Sequence, residues 1–254
     1  MNEQDIIVIK IGTGVLTKED GTLDGASLAR LVGAIADLPN HHQRVVLVSS
    51  GAVGAGIPAL NLGEYPGDVP TRQAAAAVGQ TRLMHAYENL FRSFDVSVAQ
   101  ILLTAADLEI DEHRQRVTDL LERLIAEAKI VPIINENDSV AVEELSVGDN
   151  DMLSARVASL LGARLLVLLT SVDGLLPPCG DEIVREVEEV EEVLSFATEG
   201  KGRFAIGGME SKLQAVKWAV DEGVETVIAN GRRPDRLAEI VAGAGFATRF
   251  RPSA

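Results

Sequence analysis

Val131-Pro132-Ile133-Ile134-Asn135-Glu136-Asn137-Asp138 opens the stretch that decides how this chain folds, and Gly148-Asp149-Asn150-Asp151-Met152-Leu153-Ser154 closes it. The apolar run from Ile130 to Ile134 reads as a short buried strand that empties directly into short amides and carboxylates. The second polar cluster opens an apolar helical pattern. An open α/β sheet binds small polar ligands in the crevice beyond its strand ends, where such clusters collect. Asn, Asp and Gly are also turn formers, and Asp before a helix is an ordinary N-cap. Turn chemistry needs one or two such side chains, however, whereas these clusters hold four carboxylates and three carboxamides. Their number favours a site.

Outward from that stretch, apolar strands alternate with helical patterns. Ile6–Ile11, Arg44–Val48, Val96–Leu103, Leu165–Leu169 and Val224–Ala229 read as strands, and their near-continuous apolar runs suit a sheet covered on both faces. Leu28, Leu31, Val32, Ile35 and Leu38 recur at helical spacing, which predicts a helix over residues 25 to 38. Further helices are predicted over 73 to 94 (with an Ala-rich start suited to close packing), 108 to 128, 151 to 161, 209 to 221 and 234 to 242. Residues 57 to 70, with Pro58, Pro66 and Pro70, read as an irregular excursion. The alternation predicts an α/β fold, a three-layer αβα sandwich around a mostly parallel open sheet. No linker or repeat divides the 254 residues, so the expectation is a single domain.

Composition excludes several classes. The net charge of −15 argues against a nucleic-acid or acidic-membrane surface, which needs clustered Lys and Arg. Cys179 is the only cysteine, so neither a disulfide framework nor a thiolate metal cluster is expected. His41, His42, His85 and His113 form no metal-ligand spacing. No apolar run approaches a membrane span and no leader is recognisable, so a cytoplasmic protein is expected. The tract from Asp181 to Glu192, alternating Val with acidic residues, reads as a solvated face without chemistry.

Lys10 ends the first strand, where its desolvation is costly without an anionic partner. It is either a lysine snorkelling out of the strand or a cation held for phosphate, with Gly12 and Gly14 letting backbone N–H groups come close. Gly12-Thr13-Gly14 is not a dinucleotide fingerprint: the third glycine is missing, and Lys18-Glu19-Asp20-Gly21 is a turn where a helix is required. Ser49-Ser50-Gly51-Ala52-Val53-Gly54 lets backbone approach a ligand, but no Gly-Lys-Ser/Thr ending follows, so it is not a P-loop. The second glycine-rich loop, through Gly207 and Gly208, leads into a helix with Lys212 in its first turn. Free N–H groups, the dipole's positive end and a cation together make an anion site. Two lysines with carboxylates, and no nucleophile–base pair, suit phosphoryl transfer, which needs positioning and charge stabilisation.

Val8-Ile9-Lys10-Ile11-Gly12-Thr13, Val48-Ser49-Ser50-Gly51-Ala52, Asn135-Glu136-Asn137-Asp138, Val147-Gly148-Asp149-Asn150-Asp151 and Gly207-Gly208-Met209-x-x-Lys212 resemble the amino acid kinase family. The pairing of the two Asn/Asp motifs resembles the branch that phosphorylates L-glutamate. The resemblance covers nearly the whole chain. It implies the amino acid kinase fold, with a glutamate-binding half over about 1–165 and a nucleotide-binding half over about 166–254. It also implies ATP-dependent phosphorylation of the γ-carboxylate of L-glutamate, with Mg²⁺, at the start of proline biosynthesis.

By that resemblance Lys10 and Lys212 stabilise the moving phosphoryl group and Asp151 holds both. Ser50, Gly51, Asn135, Asp138, Asp149 and Asn150 bind glutamate. Lys10, Gly12, Thr170, Ser171 and the segment Ile206, Gly207, Gly208, Met209, Glu210, Ser211 and Lys212 contact the nucleotide. No metal-ligating side chain is assigned. Proline as feedback inhibitor and a homo-oligomer, dimer or tetramer, are further expectations. The chain departs from the family pattern at Thr170-Ser171, where Thr-Asp is usual, and at Gly174-Leu175-Leu176-Pro177-Pro178, which bears on nucleotide preference. Many bacterial members carry a C-terminal PUA domain, which is not expected here. Acetylglutamate kinase, aspartokinase and uridylate kinase are alternatives that lack the double Asn/Asp motif. A non-catalytic amino-acid sensor that kept the glutamate pocket is the alternative from another class.

Overall fold

The computed structural model describes residues 6–38, 44–140, 149–196 and 208–252. Among these, β1 (Ile6–Ile11), β2 (Arg44–Ser49), β3 (Ser97–Leu103), β4 (Ile130–Glu136), β5 (Leu165–Thr170), β6 (Glu186–Val187), β7 (Glu225–Asn230) and β8 (Thr248–Phe250) form one sheet. Their order is β3-β4-β2-β1-β5-β7-β8-β6. The pairings from β3 across to β7 are all parallel; β8 runs antiparallel to β7, and β6 lies parallel to β8. β1 is the switch point. The chain steps from it to β2 on one side, and β5 flanks it on the other.

The side-chain alternation of the central strands builds both faces. Ile7, Ile9, Leu165, Val167 and Leu47 pack with α2 (Gly25–Ala36), α4 (Val69–Arg92) and α10 (Leu237–Val241). Val8, Val48, Leu166, Leu168 and Ile134 pack with α6 (Asp111–Ile125), α7 (Asp149–Leu160) and α9 (Gly208–Asp221). The result is the predicted three-layer sandwich. Lys10 shares its parity with Val8, so the pleat alone sends it toward the α7 and α9 layer, although it is only 4% exposed.

Boundaries moved where local chemistry decides them. The helix predicted over 108 to 128 is two, α5 (Ala105–Glu109) and α6, because Ile110 is extended (φ −85°, ψ 118°). Helix α4 starts ahead of the predicted position: Asp68 accepts the Thr71 N–H at 2.9 Å, and Pro70 is tolerated in a first turn. The segment predicted as a helix over 234 to 242 opens as a 3₁₀ turn, Pro234–Arg236, before α10. The acidic tract holds β6 and α8 (Val190–Leu194), with Val187, Val190 and Val193 buried and Glu186, Glu188 and Glu189 exposed. It is thus an edge of the fold with one solvated side rather than a wholly solvated face. Strand β8 had no distinct signal, since a three-residue strand is too short to show a period.

A short helix, α3 (Ala52–Gly56), packs on α4 at near-contact distance. A methyl group on Gly79 would lie 1.8 Å from the Ala52 carbonyl oxygen, and one on Gly56 would lie 2.0 Å from that of Ala75. The Ala-rich start of α4 therefore serves close helix packing, as its composition indicated.

Candidate active site

The charged centre lies where β1, α7 and α9 converge. Lys10 Nζ is 2.7 Å from Asp151 Oδ1, and Lys212 Nζ is 3.0 Å from Asp151 Oδ2. Both pairs are ionic contacts. Only Lys212 meets hydrogen-bond geometry, the approach of Lys10 to Oδ1 being too oblique. One carboxylate thus spaces two ammonium groups that are 202 residues apart in sequence (212 − 10). The cluster carries a net single positive charge in a place where Lys10 and Asp151 side chains are 4% exposed and Lys212 17%. A buried surplus cation in a protein of charge −15 attracts an anion strongly, because low polarity amplifies charge interactions. Lys212 also donates to the Gly208 carbonyl at 3.1 Å, which folds it back over the start of α9.

Gly12 lies beside this centre. Its N–H donates to the Leu169 carbonyl at 3.0 Å and is therefore committed to the sheet. What glycine supplies is room. A Cβ there would lie 3.1 Å from that carbonyl oxygen and 3.7 Å from Lys10 Nζ.

Beside the charges lies a neutral cluster. Asn150 Nδ2 donates to Ser50 Oγ at 3.0 Å and to Asn135 Oδ1 at 2.9 Å. Asn135 Nδ2 donates to Gln80 Oε1 at 2.9 Å, and Gln80 Nε2 to Gln100 Oε1 at 3.2 Å. The Glu136 N–H reaches both asparagine carbonyls, at 2.9 Å for Asn135 and 3.2 Å for Asn150. The Ser50 N–H donates to the Ile11 carbonyl at 3.1 Å, tying the ends of β1 and β2 together. Gly51 then turns the chain with φ +100°, a left-handed conformation that favours glycine, and opens α3. Ser49 Oγ shares a 2.8 Å hydrogen bond with the hydroxyl of Tyr87, whose complete burial pushes the phenol well above its ordinary pKa. Asp138 sits half-buried in the turn after β4.

The far side is built on β5 and β7. Thr170 is buried, and its Oγ1 accepts the Val172 N–H at 3.1 Å, while Ser171 is exposed next to Gly14, at whose Cβ position its Oγ would lie 3.8 Å away. Asn230 Nδ2 donates to Asp173 Oδ1 at 3.1 Å, and Arg232 Nη2 donates to the Gly14 carbonyl at 3.1 Å. In the first turn of α9, Met209 packs on the core, Glu210 is exposed, and Ser211 Oγ donates to the Gly208 carbonyl at 3.4 Å. The Asp149 side chain, Ile206 and Gly207 lie outside the described residues, as does most of the second glycine-rich loop.

The structure thus joins Lys10, Asp151 and Lys212 in one cluster and Ser50, Asn135 and Asn150 in its neighbour. Sequence reasoning missed Gln80, Gln100, Tyr87, Asn230 and Arg232. Gln80 stands inside a helical pattern and Gln100 inside a strand, so neither bears a turn or loop signature. Asn230 and Gly231, directly after a strand, carried the same strand-end signal that marked Asn135. No helix among the described residues is long and apolar enough to cross a membrane.

Comparisons with known proteins point to one family. Residues 5–230 match the amino acid kinase family. The chain is 43% identical over 249 residues to the glutamate 5-kinase of Symbiobacterium thermophilum, covering 96% of this chain and 95% of that one. It is 44% identical over 253 residues to the glutamate 5-kinase of Geobacter sp. strain M21, covering 97% of this chain and 68% of that longer one. Among solved structures, carbamate kinase from Giardia lamblia bound to AMP-PNP superposes with a TM-score of 0.69 at 17% identity, covering 100% of each chain. N-acetylglutamate synthase from Neisseria gonorrhoeae superposes with a TM-score of 0.71 at 20% identity, covering 98% of this chain and 60% of that one. At such identities these structures speak for the fold alone. With the family pattern covering β1 to β7 and both lysines, this chain belongs to the amino acid kinase family, in its glutamate 5-kinase branch.

Proposed function

We propose that the protein transfers the γ-phosphoryl group of ATP to the γ-carboxylate of L-glutamate, giving L-glutamyl 5-phosphate and ADP, the first step of proline biosynthesis. The observation that carries this reading is the single carboxylate, Asp151, holding two ammonium groups beside a neutral hydrogen-bonded cluster. The acceptor carboxylate is ionised near neutral pH, with an ordinary pKa of about 4.3, so no general base is needed. An oxygen of that carboxylate attacks the γ-phosphorus, and the bond to the β–γ bridging oxygen breaks as ADP leaves.

Charge on the moving phosphoryl oxygens is met by Lys10 from the strand side and Lys212 from the helix side. Asp151 keeps the two apart and aimed at one place. Ser50, Asn150, Asn135 and Asp138, with Asp149, would receive the amino acid, and Thr170, Ser171 and the start of α9 the nucleotide. Asp151 is already committed to two ammonium groups, so Mg²⁺ fits best on the phosphates of ATP, where it usually keeps several waters. Bound there, it would neutralise phosphate charge.

A coupled assay for ADP release tests the reading, with Mg-ATP and a panel of L-glutamate, N-acetyl-L-glutamate, L-aspartate, carbamate and UMP. Turnover with L-glutamate, lost on Lys212→Ala, is the expected result. Turnover only with another acceptor overturns the substrate. Glutamate binding without ADP release would favour the sensor.

A further inference from the structure

Four carboxamides run in line from the sheet edge to Ser50. Gln80 donates to Gln100, Asn135 donates to Gln80, and Asn150 donates to Asn135. A carboxamide can be turned over by exchanging its oxygen and nitrogen, so such a line has two possible directions. One partner cannot be reversed. The backbone N–H of Glu136 only donates, and it reaches both Asn135 Oδ1 at 2.9 Å and Asn150 Oδ1 at 3.2 Å. Both asparagines must therefore turn their carbonyls to Glu136 and their NH₂ groups away.

The consequence falls on Ser50. Asn150 presents an N–H to it, so Ser50 Oγ accepts, and its own proton is left for a ligand. With the line reversed, Asn150 would present its carbonyl, Ser50 would donate into the protein, and its lone pairs would face an incoming anion. The Glu136 N–H forbids this, and a hydrogen bond from Asn150 Nδ2 to the Ser49 carbonyl at 3.4 Å agrees with it; Gln80 supplies the acceptor that the fixed direction requires for Asn135 Nδ2. It is 8% exposed, projects from α4, and offers Asn135 an acceptor at 2.9 Å. Close packing of Gly79 on the Ala52 carbonyl keeps α4 at a set distance from the loop that carries Ser50.

We propose that Gln80, backed by Gln100, is a positioning residue that meets the direction set by the Glu136 N–H, holds Asn135 and through it Asn150 in place, and so keeps Ser50 a hydrogen-bond donor toward a carboxylate of the acceptor substrate. The proposal rests on the glutamate reading given above. Gln80 touches no reacting atom in it and acts through Asn135 and Asn150.

Steady-state kinetics with varied glutamate and varied ATP, together with thermal melting, test it on Gln80→Leu, Gln80→Glu, Gln100→Leu and Ser50→Ala. Gln80→Leu should raise KM for glutamate about tenfold, with KM for ATP and kcat changed less than about twofold, as expected for losing one buried partner. Gln80→Glu retains an acceptor for Asn135 and should recover most of that loss, and Gln100→Leu should fall between. The double variant Ser50→Ala/Gln80→Leu should raise KM no further than Ser50→Ala alone, because both act on one contact. A lowered melting temperature with KM unchanged, equal defects in Gln80→Leu and Gln80→Glu, or additive effects in the double variant would each overturn the proposal. If Gln80→Leu does not fold, Gln80→Glu and Gln100→Leu still decide it. A wild type inactive on glutamate overturns the functional reading and this proposal together; an active wild type with unchanged KM in the variants overturns this proposal alone.

Discussion

Two neighbouring clusters at the strand ends are built by opposite means. The Lys10–Asp151–Lys212 centre uses formal charge on long side chains, supplied by one strand and two helices. The Ser50–Asn150–Asn135–Gln80 line uses neutral groups whose directions are set by a backbone N–H. In the reaction proposed above, the contrast follows from what each would hold. A migrating phosphoryl group spreads negative charge over its oxygens, and fixed cations that meet it lower the barrier. In the proposed reaction the neutral donors meet a carboxylate of the acceptor, and its ammonium group falls to Asp138 and Asp149. Damage to the first region should therefore appear in kcat, and damage to the second in KM for the acceptor.

The sharpest way to break that division is to neutralise a lysine. Lys10→Met and Lys212→Ala should each lower kcat by about 10²–10³, the cost of removing one preorganised stabilising group. Rapid-quench measurement of ADP formation at saturating substrates checks this, and a change confined to KM would dissolve the contrast. Asp151→Asn keeps the shape but leaves two ammonium groups facing each other. We expect a fall of about 10² in kcat, with KM for glutamate nearly unchanged, since the amide line does not include Asp151. On the neutral side, Ser50→Ala should raise KM for glutamate about tenfold and leave KM for ATP alone, read by the same assay.

Smaller effects test the frame that holds the two regions together. Gly79→Ala drives a methyl group into the Ala52 carbonyl and should cost about 1–3 kcal/mol by overpacking. At about 2–4 °C per kcal/mol for a chain of this size, the melting temperature falls by several degrees. At the outer end of α5, the Thr104 hydroxyl and then the Thr104 N–H hold the Asp107 carboxyl below its ordinary pKa. A depressed folded-state pKa means that the contribution is present above the unfolded value of about 3.9 and is lost as pH falls through the folded value. Asp107→Asn should therefore cost about 1 kcal/mol near pH 7 and progressively less below pH 4, measured by urea unfolding across that range. A defect that persists undiminished at pH 2 would contradict the capping role.

The legible parts of the fold were those carried by period and punctuation. Ile6–Ile11 and Leu165–Leu169 declared themselves as buried parallel strands because both faces must be apolar. Asn135 and Asn150 stood out because polar clusters were attached directly to a strand end and a helix start. Gln80 was hidden for the opposite reason. A single polar residue in an Ala-rich helix has no local signature, and only β3 and β4, arriving beside α4 with Gln100 and Asn135, give it partners. The break at Ile110 and the short strand β8 were hidden likewise, since neither is longer than the window in which a period can be recognised.

The sequence by itself determined the alternation of strands and helices, the acidic charge, and the residues able to bind an anion and an amino acid, because these depend on composition and on neighbours along the chain. The tertiary structure brings Lys10 and Lys212 onto Asp151, as the family resemblance implied, and it alone decided that the Gly12 N–H is committed to the sheet and which way the amide line points. Those are contacts between groups far apart in sequence, and their geometry is fixed by the packing of β1, α7 and α9 and by one backbone N–H that cannot be reversed.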